Sequence, residues 1–484
     1  MKRTISILLL ISMLSAFACG SDSGDAETTG TTAAVSDETT TAAEEVVTLP
    51  DYELDLGGED FTILYFDPVK DWGWNSNTPS DVDAEETNGE ALNDAVFNRN
   101  RKIEEMYNLT IQAVAAEGNI HSQLEKSVLS NSGEYDAALL IQQGMEKPVA
   151  EGYIVQLDDL FNFDDPWWDK NSLEGLQILG KTYAIAGDIT FYDKLIALGV
   201  FFNKNMAEDY GLGDIYQLVI DGDWTFEKML EIGEMVSADV NGDNVYDKND
   251  RYGFSGQNDA VYELLQSAGE RFCTIGDDGI PYLTADSERA VNILVEIYTF
   301  MNDKAQFFNR QTNNLTVADT VNMFMSNQVL FLMRPLSSLF DLRAMDAEFG
   351  IIPTPKMDST QTQYYTSIGF TGAPLVTIPI DAKSVENSAK VLDTLSAESY
   401  LSVNDAFYDL VLGTKLTRDE NSTENLDLIL ENRIYDPGCI FGFGDMANAF
   451  MKPGNPDTVA STIESYRSKV QADIDALVEA VEGN

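Results

Sequence analysis

From Asp51 onward, short apolar runs alternate with amphipathic stretches, and this rhythm limits the fold more than any other feature. FTILYF at 61–66 suits a buried strand. ALNDAVFNRNRKIEEMY at 91–107 reads as a helix, with Leu92, Ala95, Val96, Ile103 and Met106 near one stripe. LTIQAVAA at 109–116 gives a second strand, HSQLEKSVLS a helix, and YDAALLI at 135–141 a third strand. Strand, helix, strand, helix, strand implies right-handed crossovers and a mainly parallel sheet. In such sheets ligands meet the loops at the carboxyl ends of the strands. Here those loops are DPVKDWGWN after the first strand and QQGMEK after the third. The second half continues with helices around 286–302 and 318–327, the strand NQVLFLMR, FGIIPTPK, TGAPLVTIPI and a terminal helix from Asp457 to about Val481.

The first eighteen residues have Lys2 and Arg3, an apolar run from Ile5 to Leu14, and small residues before Cys19, the plan of a secretory signal peptide. The run is too short for a membrane span. Ala16-Phe17-Ala18 before Cys19 resembles a bacterial lipobox, so cleavage before Cys19 and lipidation of its thiol are expected. Residues 20–50 contain no Lys, Arg or aromatic residue and cannot build a core; an acidic Thr/Ala-rich arm of this kind acts as an extended spacer. With 30 basic and 81 acidic residues the formal charge is −51. Such a surface repels nucleic acid and anionic membranes, leaving the lipid as the means of attachment. Besides Cys19 only Cys273 and Cys439 remain, which excludes a disulfide framework and leaves their pairing open.

Three signals look chemical. GLQILGKT at 175–182 satisfies the P-loop pattern, but its inner residues favour a helix and TYAIAG after it a strand. That order is the reverse of what phosphate binding requires. GFSGQ at 253–257 approaches a nucleophile elbow but has Gln257 in place of the second glycine. The single histidine, His121, lies on a polar stretch and reads as a surface helix residue, leaving a hydrolase without an obvious imidazole base. Carboxylates are too abundant for any stretch to single out a glycosidase pair.

DVNGDNVYDKND at 239–250 has calcium-loop spacing. Asp239, Asn241 and Asp243 supply side-chain oxygens, Val245 its carbonyl, Asp247 a direct or water-mediated contact and Asp250 the closing carboxylate. The sixth position, where the turn needs a positive φ, is Asn244. A sensor needs paired loops and a dockerin a second copy; with one copy the expectation is a structural Ca2+. The alternative is an acidic surface turn.

The leader with Cys19, the tether and DVDAEETNGEALNDAVFNRNRKIEEMYNLTI resemble extracellular solute-binding proteins of family 1, the sugar-type receptors of bacterial ABC importers. PWWDK, GKTYAIAGDIT, FFNKNMAEDYGL, DWTFEKMLE, FGIIPTPK, AESY and NRIYDPG look like blocks of one branch of that family, in the same order. The resemblance implies an α/β, two-lobed periplasmic-binding-protein-like fold of class II type, its lobes joined by crossing strands. The first lobe would take 51–195 plus about 375–420, the second 196–374 plus about 421–484. Crossings would lie near Ala197–Asn203, Thr371–Val376 and 415–435. It further implies a non-catalytic receptor on the outer face of a Gram-positive membrane, with ABC permease subunits as partners. Members of this branch often carry such an acidic loop just before a YGF segment.

Sugar sites combine aromatic rings with planar amides and charged groups. The candidates are Asp71, Trp72 and Trp74 after the first strand, Gln142 and Gln143 after the third, Asp188 near the first crossing, and Arg334 at the end of a second-lobe strand. Trp167, Trp168 and Trp224 read as packing residues, with Trp168 as an outside candidate. Competing readings are a receptor for a peptide or polyol, and a calcium-stabilised surface glycan-active protein.

Overall fold

The computed structural model describes residues 47–483 apart from 343–344, 346–347, 370–371 and 413–420. The expected signal peptide, Cys19, the tether up to residue 46, Thr371 and the first part of the third crossing lie outside the described residues. Residues Leu49–Asn484 form one compact unit.

The first sheet grows from the three strands of the opening rhythm. β1 (Glu59–Tyr65) lies between β2 (Leu109–Ala115) and β3 (Ala137–Ile141), parallel to both. Helix α1 (Ala91–Tyr107) connects β1 to β2 and α2 (Ile120–Ser130) connects β2 to β3. Each helix ends on an asparagine, Asn108 or Asn131, at φ 49°, a left-handed turn this residue tolerates better than most. The expected stripe of α1 holds at Leu92, Val96 and Ile103, whereas Met106 is exposed. The inner face instead carries Arg99, buried because carbonyls rather than carboxylates satisfy it. Its guanidinium donates to Asp81 O (2.9 Å), Val82 O (3.1 Å) and Ile189 O (2.9 Å).

The second sheet has order β8-β4-β7-β5-β6, made of β4 (Leu198–Asn203), β5 (Tyr252–Gly256), β6 (Phe307–Asn309), β7 (Val329–Pro335) and β8 (Phe349–Ile352). β5, β6 and β7 run parallel, while β4 is antiparallel to β7 and to β8. Helix α3 (Phe226–Val236) lies directly on β5, and a glycine pair permits it. A Cβ on Gly253 would sit 2.3 Å from the Cα of Gly233. β9 (Pro374–Thr377) then returns to the first sheet, antiparallel to β3, giving that sheet the order β9-β3-β1-β2. The terminal helix α4 (Val459–Gly483) buries Val459, Ile463, Val470, Ile474, Leu477 and Val481, the spacing the sequence shows.

GLQILGKT takes the expected order of helix, turn and extended chain. A short helix ends at Leu176, Leu179 and Gly180 form the turn at φ 52° and 73°, and Ile185 bridges to Val376. Extended chain rather than a helix follows the turn, so the phosphate-binding reading has no geometric support. His121 departs from expectation. It is half-buried, its Nε2 lies 3.1 Å from the carbonyl of Ile141, and burial pushes its pKa down. Its polar neighbours are not all on the surface either: Ser122 and Lys126 are exposed, whereas Ser127 is buried. Cys273 and Cys439 are both buried and free.

Asp81 is buried, accepts the Thr190 hydroxyl, and leaves its other carboxylate oxygen without a partner. Burial pushes its pKa up to about 7, against about 3.9 for an unperturbed aspartate. The folded state therefore binds this proton more readily than the unfolded chain, and Asp81 makes the protein more stable as pH falls from about 7 toward about 4. Asp81→Asn should raise the melting temperature at about pH 8 and flatten its slope through that window. Melting curves across the pH range check this, and an unchanged slope would contradict it.

Candidate ligand-binding cleft

Both sheets present their carboxyl edges to one cavity of about 250 Å³. On the first sheet, the chain leaving β1 turns at Asp67, whose side chain caps a short helix at Pro68–Asp71, and delivers Trp72 and Trp74. On the second sheet, the ends of β5, β6 and β7 deliver Gln257 with Asp259, Arg310 and Arg334. Two crossing segments close the space. β4 begins opposite the end of β7, Leu198 facing Pro335, so Ile196 and Leu198 enter from that edge. β9 begins opposite the end of β3, Pro374 facing Ile141, and Gly369 lies along the same edge.

The aromatic wall is layered. Trp72 packs on Phe66 with ring centroids 4.4 Å apart, Trp74 lies 6.1 Å from Trp72, and Tyr192 meets Trp74 edge-on at 5.6 Å. Gly372 lies beneath this wall: a Cβ there would come within 2.1 Å of the Trp72 ring and 2.2 Å of Ile196 Cδ1. Trp72 remains 36% exposed, which leaves ring surface available to a ligand. Across the cavity Gln257 organises the polar side. Its Oε1 accepts from Arg310 (2.7 Å) and Arg334 (2.9 Å), and its Nε2 donates to Asp259 (2.8 Å). Arg334 Nε also donates to Ser338 Oγ at 3.3 Å. The amide of Asn75, beside the tryptophans, donates to Asp341 at 2.9 Å and so links the two walls.

Of the residues expected to bind ligand, Trp72, Trp74 and Arg334 line this cavity. Gln142 stands behind it, buried at the end of β3. Its backbone N–H donates to Ala373 O (2.9 Å) and its side-chain amide to Gly369 O (2.6 Å), so it holds the second crossing. Asp71 is exposed and Gln143 half-buried, and neither is among the lining residues. Asp188 is drawn elsewhere, into a buried charge cluster. It pairs with Lys194 at 2.7 Å, Lys194 lies 3.6 Å from Asp193, and Arg433 joins Asp193 to Asp169. Trp167, Trp168 and Trp224 are buried packing residues. Sequence reasoning missed Gln257, Asp259, Glu263 and Arg310. The end-of-strand rule applied to YGFSG would have found the first three.

The 239–250 loop has the expected backbone. Asn244 takes φ 61°, and Asp239 accepts N–H bonds from Gly242 and Asn244, each at 2.7 Å. Asp250 closes the loop by accepting from Val240 and Asp247, each at 2.9 Å. The side chains fit a metal less well: among the described residues no three His, Cys, Asp or Glu groups gather at ligating distance.

Removing the Gln142 side chain should loosen the crossing without touching the cavity wall. Gln142→Ala is expected to cost about 1–3 kcal/mol through the orphaned Gly369 carbonyl. Hydrogen exchange at Thr366–Gly369 should quicken, and unchanged exchange there would contradict the clamp.

No known sequence family profile matches the chain, and no curated protein does. Solved structures match along most of it. An ABC substrate-binding protein of Listeria monocytogenes in complex with cycloalternan aligns at TM-score 0.52 and 12% identity, over 88% of this chain and 99% of that one. A cyclo/maltodextrin-binding protein complexed with maltotetraose aligns at 0.54 and 13%, over 88% and 96%. UspC of M. tuberculosis aligns at 0.55 and 15%, over 86% and 100%. The chain has the two-lobed α/β fold of ABC-transporter solute-binding proteins.

Proposed function

We propose that this chain is the extracellular solute-binding receptor of an ABC importer, holding a carbohydrate between its lobes and delivering it to a membrane permease. One observation carries the reading. The cavity at the shared carboxyl edges joins a partly exposed tryptophan wall to an amide–guanidinium–carboxylate wall. A pyranose has the matching faces, an apolar ring surface and a rim of hydroxyls. The sugars bound by two of the similar structures support the same class. The role is recognition, with no chemistry asked of any side chain. Closure of the lobes about the crossings is the signal a permease would read. Lipidation at Cys19 on a Gram-positive surface, with the acidic arm as spacer, completes the proposal. It accords with the absence, among the described residues, of a helix long and apolar enough to cross a membrane.

A ligand that binds only the folded state raises stability by about 2.7 kcal/mol at one hundred times its Kd. A thermal-shift panel of mono- and oligosaccharides should therefore reveal one or more that raise the melting temperature. Trp72→Ala should weaken that ligand about tenfold or more, because ring stacking contributes on the order of 1 kcal/mol beyond the area it buries. Chemical conversion of the sugar by the protein would overturn the receptor reading.

We also propose that the 239–250 loop takes up calcium as a structural clip between α3 and β5. Its support is the spacing of its oxygens and the left-handed Asn244. Binding would require its carboxylates to turn inward from their present backbone partners. Calcium should raise the melting temperature of chelator-treated protein; an unmoved curve would leave the segment an acidic turn.

A further inference from the structure

In a chain with 81 acidic residues, an arginine ordinarily finds a carboxylate. Arg271, Arg289, Arg433 and Arg467 do so, at 2.6 to 3.3 Å. Arg310 and Arg334 differ. Like Arg99 and Arg251 they have no ion pair among the described residues, but unlike those two they line the cleft. Their guanidiniums converge instead on one neutral oxygen, Gln257 Oε1. Two like charges on a single uncharged acceptor repel each other, and a guanidinium's fork of donors is far from spent by one such bond. Arg310 donates one further, long bond to Leu315 O (3.4 Å), and its Nε is buried with no partner. Arg334 uses one N–H on Gln257 and another, weakly, on Ser338.

Among the described residues, none of the acids facing this pair forms an ion pair with it. Asp259 accepts from Gln257 through one oxygen and leaves the other buried without a partner, and Asp341 accepts from Asn75. Glu263 is buried, and that burial, with the Asp259 carboxylate beside it, pushes its pKa well above its ordinary value. Burial likewise lowers the pKa of both arginines, the direction expected of cations that want a counter-charge. What neither guanidinium has is a carboxylate meeting its fork bidentately, the pairing its geometry favours.

Building on the receptor reading above, we propose that the ligand is an acidic sugar, its ring face on Trp72 and its carboxylate between Arg310 and Arg334. The cavity of about 250 Å³ is at the small end for ligand pockets, which suits a compact uronate-sized ligand.

Isothermal titration of the full chain tests this with a panel of hexuronates, their neutral hexoses, and glucose 6-phosphate as a phosphate-bearing control. A hexuronate should bind at least tenfold more tightly than its neutral counterpart. That advantage should shrink as salt rises, and Arg310→Gln or Arg334→Gln should abolish it. Melting curves of the variants show that they remain folded. Neutral hexoses binding as tightly as uronates would overturn the acidic-sugar assignment while leaving the receptor reading intact. Tighter binding of the phosphate would overturn the carboxylate in favour of a phosphate ester. Failure of every sugar, charged or neutral, would overturn both readings together.

Discussion

Each sheet takes in an antiparallel strand that arrives from the direction of the other sheet, and most of the molecule follows from that exchange. β4 begins opposite the end of β7, and β9 opposite the end of β3. Strand pairing thereby fixes where the two crossings run, because a ladder of backbone hydrogen bonds admits no one-residue slip without turning every side chain over. The loops at both carboxyl edges must then face a common space. The aromatic wall and the guanidinium wall oppose each other for topological reasons, before any side chain contributes affinity.

Buried charge is handled in two ways, and the contrast separates structure from recognition. Around Lys194 and Arg433 every cation has carboxylate partners, and the cluster binds the chain before β4 to the strand pairing at 366–367. Around Gln257 the cations share an amide oxygen and keep donors in reserve. Removing one partner from the first cluster would leave an uncompensated interior charge, the costly case for a buried ion pair. The second cluster is built to accept a partner from outside. Asp188, whose carboxylate suggested a ligand contact, belongs to the first kind.

Much of the fold was legible because its strands are long enough to show their apolar runs. FTILYF, LTIQAVAA, NQVLFLMR and the terminal helix all stand close to where periodicity puts them. The site was legible where it follows such strands, as at Trp72, Trp74 and Arg334. It was hidden where the strand is only three residues long, as at Phe307–Asn309 before Arg310. It was hidden too where a motif distracted: Gln257 stood out as a missing glycine in a hydrolase pattern, yet it is the amide that gathers two arginines. The same limit applies to α1, where Arg99 is buried among backbone carbonyls that no pattern of side chains discloses.

The absent side chain at Gly372 has a further consequence. The Trp72 indole rests on the backbone of the crossing itself, with Ile196 of the other crossing against the same point. The ring is consequently both a wall of the cleft and a packing partner of both crossings. Any rotation of one lobe against the other alters the packing and solvation of its indole. A side chain at 372 would have to displace the Trp72 ring and Ile196 together, so the cleft wall and both crossings share one packing constraint.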